Sequence, residues 1–331
     1  MPGESQSQRP EVSDAVVPPE RAAGRVLVGT QGFSYDQWEG LVYPVGLPRG
    51  RRVAEYARQF ALVELDSTYY GTPRPAQVLR WAELTPETFT FTAKVPKQVT
   101  QEARLAGDDA RRELARFLET IRLLGPRLGP VLFQMSPGFR YPRDFPALRE
   151  TLRHLDSLGG EGLRFAVEFR HPSWLGEERE VDGAESAAAE GQRREEPADL
   201  LRRYGVAWVW NDWYPTEDYL EQMPRAIDVP AAQRITSDSF GYIRLTGNHA
   251  ECIDYRTVRI DRTSDLERWA RLALDFRRDR EDRSVYVLLN NHYAGSSPNS
   301  VRHLEHVLGV PVRAFPAFPD GAPEPPRLPG L

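Results

Sequence analysis

Eight short runs rich in β-branched and aromatic residues, separated by stretches of helical periodicity, constrain this chain more than any single motif does. The runs cover residues 26–29, 62–66, 89–94, 131–134, 165–170, 206–210, 241–247 and 285–289. Helical spacing of apolar residues marks 53–60, 75–84, 108–124, 145–158, 200–204, 265–278 and 301–308. In 108–124, for example, Leu114, Phe117, Leu118, Ile121 and Leu124 fall on one helical face. Eight strands alternating with helices predict a single α/β domain of the (β/α)8, or TIM-barrel, class, which takes about 250 residues. A doubly wound sheet is the competing architecture, but no strand runs into a G-x-G-x-x-G or Walker turn. The same absence leaves no nucleotide-cofactor motif.

At 331 residues and 40% hydrophobic content, the chain can bury such a core with residues to spare. The spare residues read as a disordered tail over 1–24, rich in Pro, Glu, Ser and Gln, and a Pro-rich tail over 315–331. The barrel then spans 25–314, with a charged loop insertion at 176–198. A net charge of −5 provides no overall basic field, so nucleic acid would need a local patch. Arg49, Arg51 and Arg52 are the candidates for it. Cys252 is the only cysteine, which excludes an internal disulfide and a cysteine-built zinc site. No apolar run approaches the roughly 20 residues that span a bilayer, and 1–24 lack the core of a secretory signal. The expectation is a cytoplasmic protein with no membrane partner.

The strands end in a way that structural strands do not require. In 165–170, alternation puts Phe165, Val167 and Phe169 on one face and Ala166, Glu168 and Arg170 on the other, so one face finishes in an acid and a base. Glu64 and Asp66 likewise share a face, as do Thr90, Thr92 and Lys94, and Tyr242, Arg244 and Thr246. In a TIM barrel the loops after the strands form the active face, so polar groups at C-terminal strand ends read as site residues. Asp66, Lys94, Gln134, Glu168, Arg170, Asp212, Arg244 and Asn290 all fall there. The loop 31–44 adds Phe33, Tyr35, Trp38 and Tyr43, which suit either a stacking surface for a ligand or a cap on the core.

GFSYDQWEGLVYP from Gly32, VELDSTYYGTP from Val63, FTFTAKVP from Phe89, GPVLFQMSP from Gly129, FAVEFRHPSW from Phe165 and NNHYAG from Asn290 together resemble the DUF72, or YecE-like, family. The resemblance implies a TIM barrel and no settled activity. Its matching positions are Tyr35, Trp38, Glu64, Ser67, Lys94, Gln134, Glu168, Arg170, His171, Arg244, Asn290 and Asn291. Where many members have Arg-x-His-Gly on the seventh strand, this chain has Arg244-Leu245-Thr246-Gly247.

Three functional readings follow. In the first, an enzyme binds a phosphorylated or otherwise anionic small molecule. Lys94, Arg170 and Arg244 supply positive charge, Glu168 or Asp66 moves protons with Lys94 beside them, and Tyr35, Trp38, Trp174 and Trp213 cover the ligand. Tyr35, Trp38, Glu64, Gln134, Arg170, His171, Asp212, Arg244, Asn290 and Asn291 are the binding candidates. Against it stands simple neutralisation, three bases pairing with Glu64, Asp66 and Glu168. The second reading is a metal-dependent phosphodiesterase like the endonuclease IV-type barrels, acting on nucleic acid, with ligands from Glu168, Asp66, His171, His249 and His292. A divalent metal is not favoured, because no two of these histidines share a ligand spacing. The third is a non-catalytic barrel that binds a ligand or partner at its mouth.

Overall fold

The computed structural model describes residues 24–157, 162–175, 196–212, 236–247, 254–278 and 280–310. Nine strands run parallel: β1 Val26–Gln31, β2 Leu62–Leu65, β3 Thr90–Lys94, β4 Leu128–Gln134, β5 Phe165–Glu168, β6 Ala207–Trp208, β7 Trp210–Asn211, β8 Phe240–Leu245 and β9 Ser284–Leu289. Their order in the sheet is β6-β5-β4-β3-β2-β1-β9-β8-β7. Since β6 and β7 are two pieces of one run interrupted at Val209, the order ends on the stretch of chain where it began. Nine strands therefore make eight staves of a nearly closed barrel, as the alternation in the sequence predicts.

The helices are α1 Arg52–Gln59, α2 Pro75–Glu83, α3 Asp108–Ile121, α4 Phe145–Ser157, α5 Pro197–Arg203, α6 Thr263–Arg278, α7 Asn291–Ala294 and α8 Ser297–Val307. Proline in the first turn opens α2, α5 and α8, where its missing N–H costs nothing. Asp108 and Asp109 complement the dipole at the start of α3. Helix faces such as Leu114, Phe117 and Leu118 join the outward strand residues Phe91, Val131 and Val167 in one large apolar layer. A second, smaller apolar cluster fills the barrel itself, with Leu27, Leu62, Leu132, Ala166, Tyr286 and Leu288 among its members. Alternation separates the two layers.

The sequence reading needs correction at several ends. The first strand runs on to Gln31 rather than stopping at Gly29, and the second stops at Leu65, with Asp66 opening a short 3-10 turn, Asp66–Tyr70. Residues 122–124, expected at the end of a helix, lie in a 3-10 turn, Arg122–Arg127. Residues 197–198 belong to α5 rather than to the charged insertion. Asn291 to Ala294, unassigned between the last strand and the last helix, forms α7, capped by the Asn290 side chain, which accepts from the His292 N–H. Both tails except Gly24, nearly all of the insertion, and Trp213, His249 and Cys252 lie outside the described residues.

Candidate functional site

Registered pairs place the inward side chains at the C-terminal end of the barrel: Gln31 opposite Glu64, Gln134 opposite Glu168, and Asn211 opposite Arg244. At the centre lies Arg244, 1% exposed. Its Nε and Nη2 donate to the two carboxylate oxygens of Glu64 at 3.0 and 2.9 Å, a bidentate pair. Nη2 also donates to Gln31 Oε1 at 2.9 Å, and Nη1 donates to Glu168 Oε2. The Tyr242 hydroxyl donates to Glu64 Oε2 at 2.9 Å and lies 3.0 Å from Thr92 Oγ1. Gln31 holds the next layer, accepting from Asn290 Nδ2 at 3.1 Å and donating to the Leu288 carbonyl at 3.2 Å.

Above this floor stand the outer charges. Lys94 Nζ lies 3.2 Å from Glu64 Oε1 and contacts Asp66 Oδ1. Arg170 Nε donates to Glu168 Oε1 at 2.6 Å. With its amide oxygen turned toward Arg170, Gln134 accepts from Nη1 and Nη2 at 3.0 and 2.9 Å. Three acids and three bases thus form one network, and each base touches at least one acid. Exposure rises outward, from the dry Glu64, Glu168 and Arg244 through Lys94 and Arg170 to Asp66, whose side chain is 31% exposed.

This gradient separates the proton affinities. Burial alone would raise the Glu168 carboxyl, but Arg170 and Arg244 outweigh it and hold it near 2. Glu64 is buried too, yet Arg244 and Lys94 carry it below its ordinary value. Asp66 goes the other way: burial and the nearby Glu64 charge lift it despite Lys94. Glu168, expected to act as acid or base, is therefore a fixed negative charge with little basicity. Asp66 is the carboxyl in this network that holds a proton more readily than usual.

Around the network the candidates divide. The Tyr35 hydroxyl donates to the Gln31 carbonyl at 2.7 Å, and burial followed by the Asp66 charge pushes its ionisation upward. Gly32, at φ +80°, leaves open the space beside it: a Cβ there would lie 2.9 Å from the Tyr35 hydroxyl and 3.0 Å from Asp66 Oδ2. Trp38 and Trp174, expected to cover a ligand, are core residues. Trp38 packs on Tyr35 and Tyr56, and Trp174 stacks on Phe169 at 4.2 Å while donating to the Phe139 carbonyl. Asn291 is buried at the start of α7, and its Oδ1 accepts from the Ser297 N–H and hydroxyl at the start of α8. Asp212 accepts the backbone N–H groups of Thr246 and Gly247, and burial pushes its carboxyl up to about 6 against those hydrogen bonds. His171 Nδ1 lies 2.8 Å from Ser173 Oγ, and His292 Nε2 lies 3.0 Å from the Tyr255 hydroxyl. Among the described residues no three His, Cys, Asp or Glu side chains gather as a metal-ligand set. Arg49 and Arg52, candidates for a local nucleic-acid patch, pair with Asp36, and Arg52 also pairs with Glu39.

Gln31 and Tyr242 are part of the network but absent from the sequence-based candidates. Their signal was alternation: Leu27, Gly29 and Gln31 share a parity, as do Tyr242 and Arg244.

A family model described as "Protein of unknown function DUF72" matches residues 27–326. The chain is 36% identical over 158 residues to the UPF0759 protein YecE of Escherichia coli (strain K12), a match covering 47% of this chain and 53%, about half, of that relative's length. To the UPF0759 protein YunF of Bacillus subtilis (strain 168) it is 22% identical over 283 residues, 81% of this chain and 90% of that one. Crystal structures of DUF72 family proteins share the fold. One from Thermotoga maritima MSB8 has a TM-score of 0.60 and 26% identity, covering 86% of this chain and 99% of that one. One from Enterococcus faecalis V583 has a TM-score of 0.61 and 20% identity, covering 87% and 99%. With the barrel, the strand-end network and the match along most of its length, this chain belongs to the DUF72 family.

Proposed function

We propose that this chain is an enzyme for a small phosphorylated or otherwise anionic molecule, held at the C-terminal mouth of the barrel and transformed by proton transfer through Asp66 and Lys94. The observation that carries this reading is the outermost layer of the network. There a partly exposed carboxyl of raised proton affinity touches an ammonium, above a floor in which every charge is already matched. Arg244 is not the anion anchor, since it is sealed in the floor with its nitrogens engaged by Glu64, Glu168 and Gln31, whereas the Arg170 side chain, also paired, is 14% exposed at the rim. Its role is to fix Glu64 and Glu168, which in turn orient Lys94 and Arg170 toward the opening.

Charge balance supports the same reading. Three acids and three bases sum to zero when all are ionised, so an incoming monoanion, such as a singly ionised phosphate ester, leaves the site one negative charge in excess. A proton on Asp66 restores the balance and places a general acid beside the bound anion. Glu168, ionised across the ordinary pH range, acts only as a fixed charge.

The test is calorimetric titration with inorganic phosphate and a panel of small phosphate esters, followed by turnover assays. Arg170→Ala is expected to weaken phosphate binding about tenfold or more. Asp66→Asn is expected to keep binding and lose turnover. Phosphate binding unchanged by Arg170→Ala would remove the anion site; a panel bound but never turned over would leave a binding barrel instead.

A further inference from the structure

We infer that Thr246 is a second ligand contact, a hydroxyl that recognises an oxygen on the uncharged end of the bound molecule, so that the mouth fits a hydroxylated phosphate ester. The inference rests on the anion reading above and extends it to the other half of the ligand.

Thr246 continues the inward parity of Tyr242 and Arg244 beyond the end of β8. It is 4% exposed, and among the described residues its Oγ1 makes no hydrogen bond. That sets it apart from Gln31, Thr92, Tyr242 and Asn290, whose side chains are all bonded to one another or to Arg244 and Glu64. A buried hydroxyl without a partner is costly, and a valine of nearly the same shape would avoid the cost.

The backbone gives the hydroxyl no easy route to a partner. Asp212 accepts the Thr246 N–H, and the preceding Leu245 carbonyl accepts from the Asn290 N–H at 2.8 Å. Gly247, at φ +70°, sits so close to α7 that a Cβ would lie 2.3 Å from the His292 carbonyl oxygen. The segment is pinned on both sides.

Its place in the ring suggests what it meets. Lys94 ends the third stave and Thr246 follows the seventh, four staves away in a ring of eight, which is diametrically across the mouth. The arc that carries Lys94, Gln134 and Arg170 faces one of Thr246 and Asn290, beside which the Asp212 carboxylate is taken up by the Thr246 and Gly247 N–H groups. A ligand spanning the mouth therefore meets charge at one end and neutral hydrogen-bonding groups at the other. Phosphate with a hydroxyl or carbonyl oxygen a few bonds away has that chemistry.

The experiment compares wild type, Thr246→Val and Thr246→Ser by calorimetry with inorganic phosphate, glycerol 1-phosphate and glucose 6-phosphate, alongside melting of the ligand-free proteins. Wild type is expected to bind at least one ester more tightly than inorganic phosphate. Thr246→Val should reduce that ratio about tenfold and Thr246→Ser should restore most of it. Without ligand, Thr246→Val should melt no lower than wild type and about 2 °C higher if the hydroxyl is idle in the free protein. A ratio unchanged in Thr246→Val, or a wild type with no preference for either ester, overturns the inference while leaving the anion site standing. A lower melting point for Thr246→Val overturns it without any ligand. Failure of the wild type to bind inorganic phosphate or either ester removes the anion reading, and this inference with it.

Discussion

Arg52 and Arg244 are each almost wholly buried and each held by two carboxylates, yet they belong to different kinds of structure. Arg52, at the start of α1, donates to Asp36 at 2.7 Å and Glu39 at 2.6 Å, tying the loop after β1 to the helix and lying over the Tyr43 ring at 5.5 Å. Its partners are wet, with the Asp36 side chain 58% exposed. Arg244 is held by Glu64 and Glu168, both fully buried. Remove Arg52, and water takes over its carboxylates at small cost. Remove Arg244, and two charges are stranded in a dry interior. The first arrangement is a clip that any well-packed contact could replace. The second is interdependent, and its use is to hold the outer charges of the mouth in place.

The largest effect expected from this contrast is on Arg244→Met, which should cost about 3–5 kcal/mol in urea unfolding, the range for breaking a buried pair. A loss no greater than that of Arg52→Met would break the comparison. Next comes acid sensitivity. The folded Glu168 lies near 2, below its ordinary 4.5, so its stabilisation is complete above about 4.5 and drains away as the pH falls toward 2. In Glu168→Gln the unfolding free energy should lose that part of its acid slope; a slope identical to wild type would place the acid limb elsewhere. The smallest effect is on Arg52→Met, expected to cost less than half of the Arg244 loss, much of it from packing over Tyr43. Raising sodium chloride to 1 M should shrink the Arg52 penalty and leave the Arg244 penalty nearly unchanged, because screening reaches only the wet pair.

The contrast also marks what the sequence could carry. The barrel was legible, because each stave combines alternation with a breaker and each helix keeps its own period. Parity correctly put Glu64, Lys94, Glu168 and Arg244 inside. What it could not carry was partnership across the ring: Arg244 meets Glu64 across 180 positions, and only closure of the sheet joins them. Trp38 was left open between ligand cover and core cap for a related reason. Its loop has the composition of a binding loop, and nothing local shows that it folds back against Tyr35 and Tyr56. Gln31 was lost because Gly29 reads as the end of the first strand, although the strand continues to Gln31.

The split at Val209 gives the barrel a mechanical character of its own. β6 is registered to β5 by Ala207 and Trp208, and β7 to β8 by Trp210 and Asn211, whereas β8 and β9 share six registered pairs. No residue of the run is registered on both sides. The ring is therefore less a hoop than a rolled sheet closed by a lap joint, two residues gripping from each side. Across that joint the Arg244–Glu168 pair, reaching from β8 to β5, supplies a tie that the short ladders on either side do not.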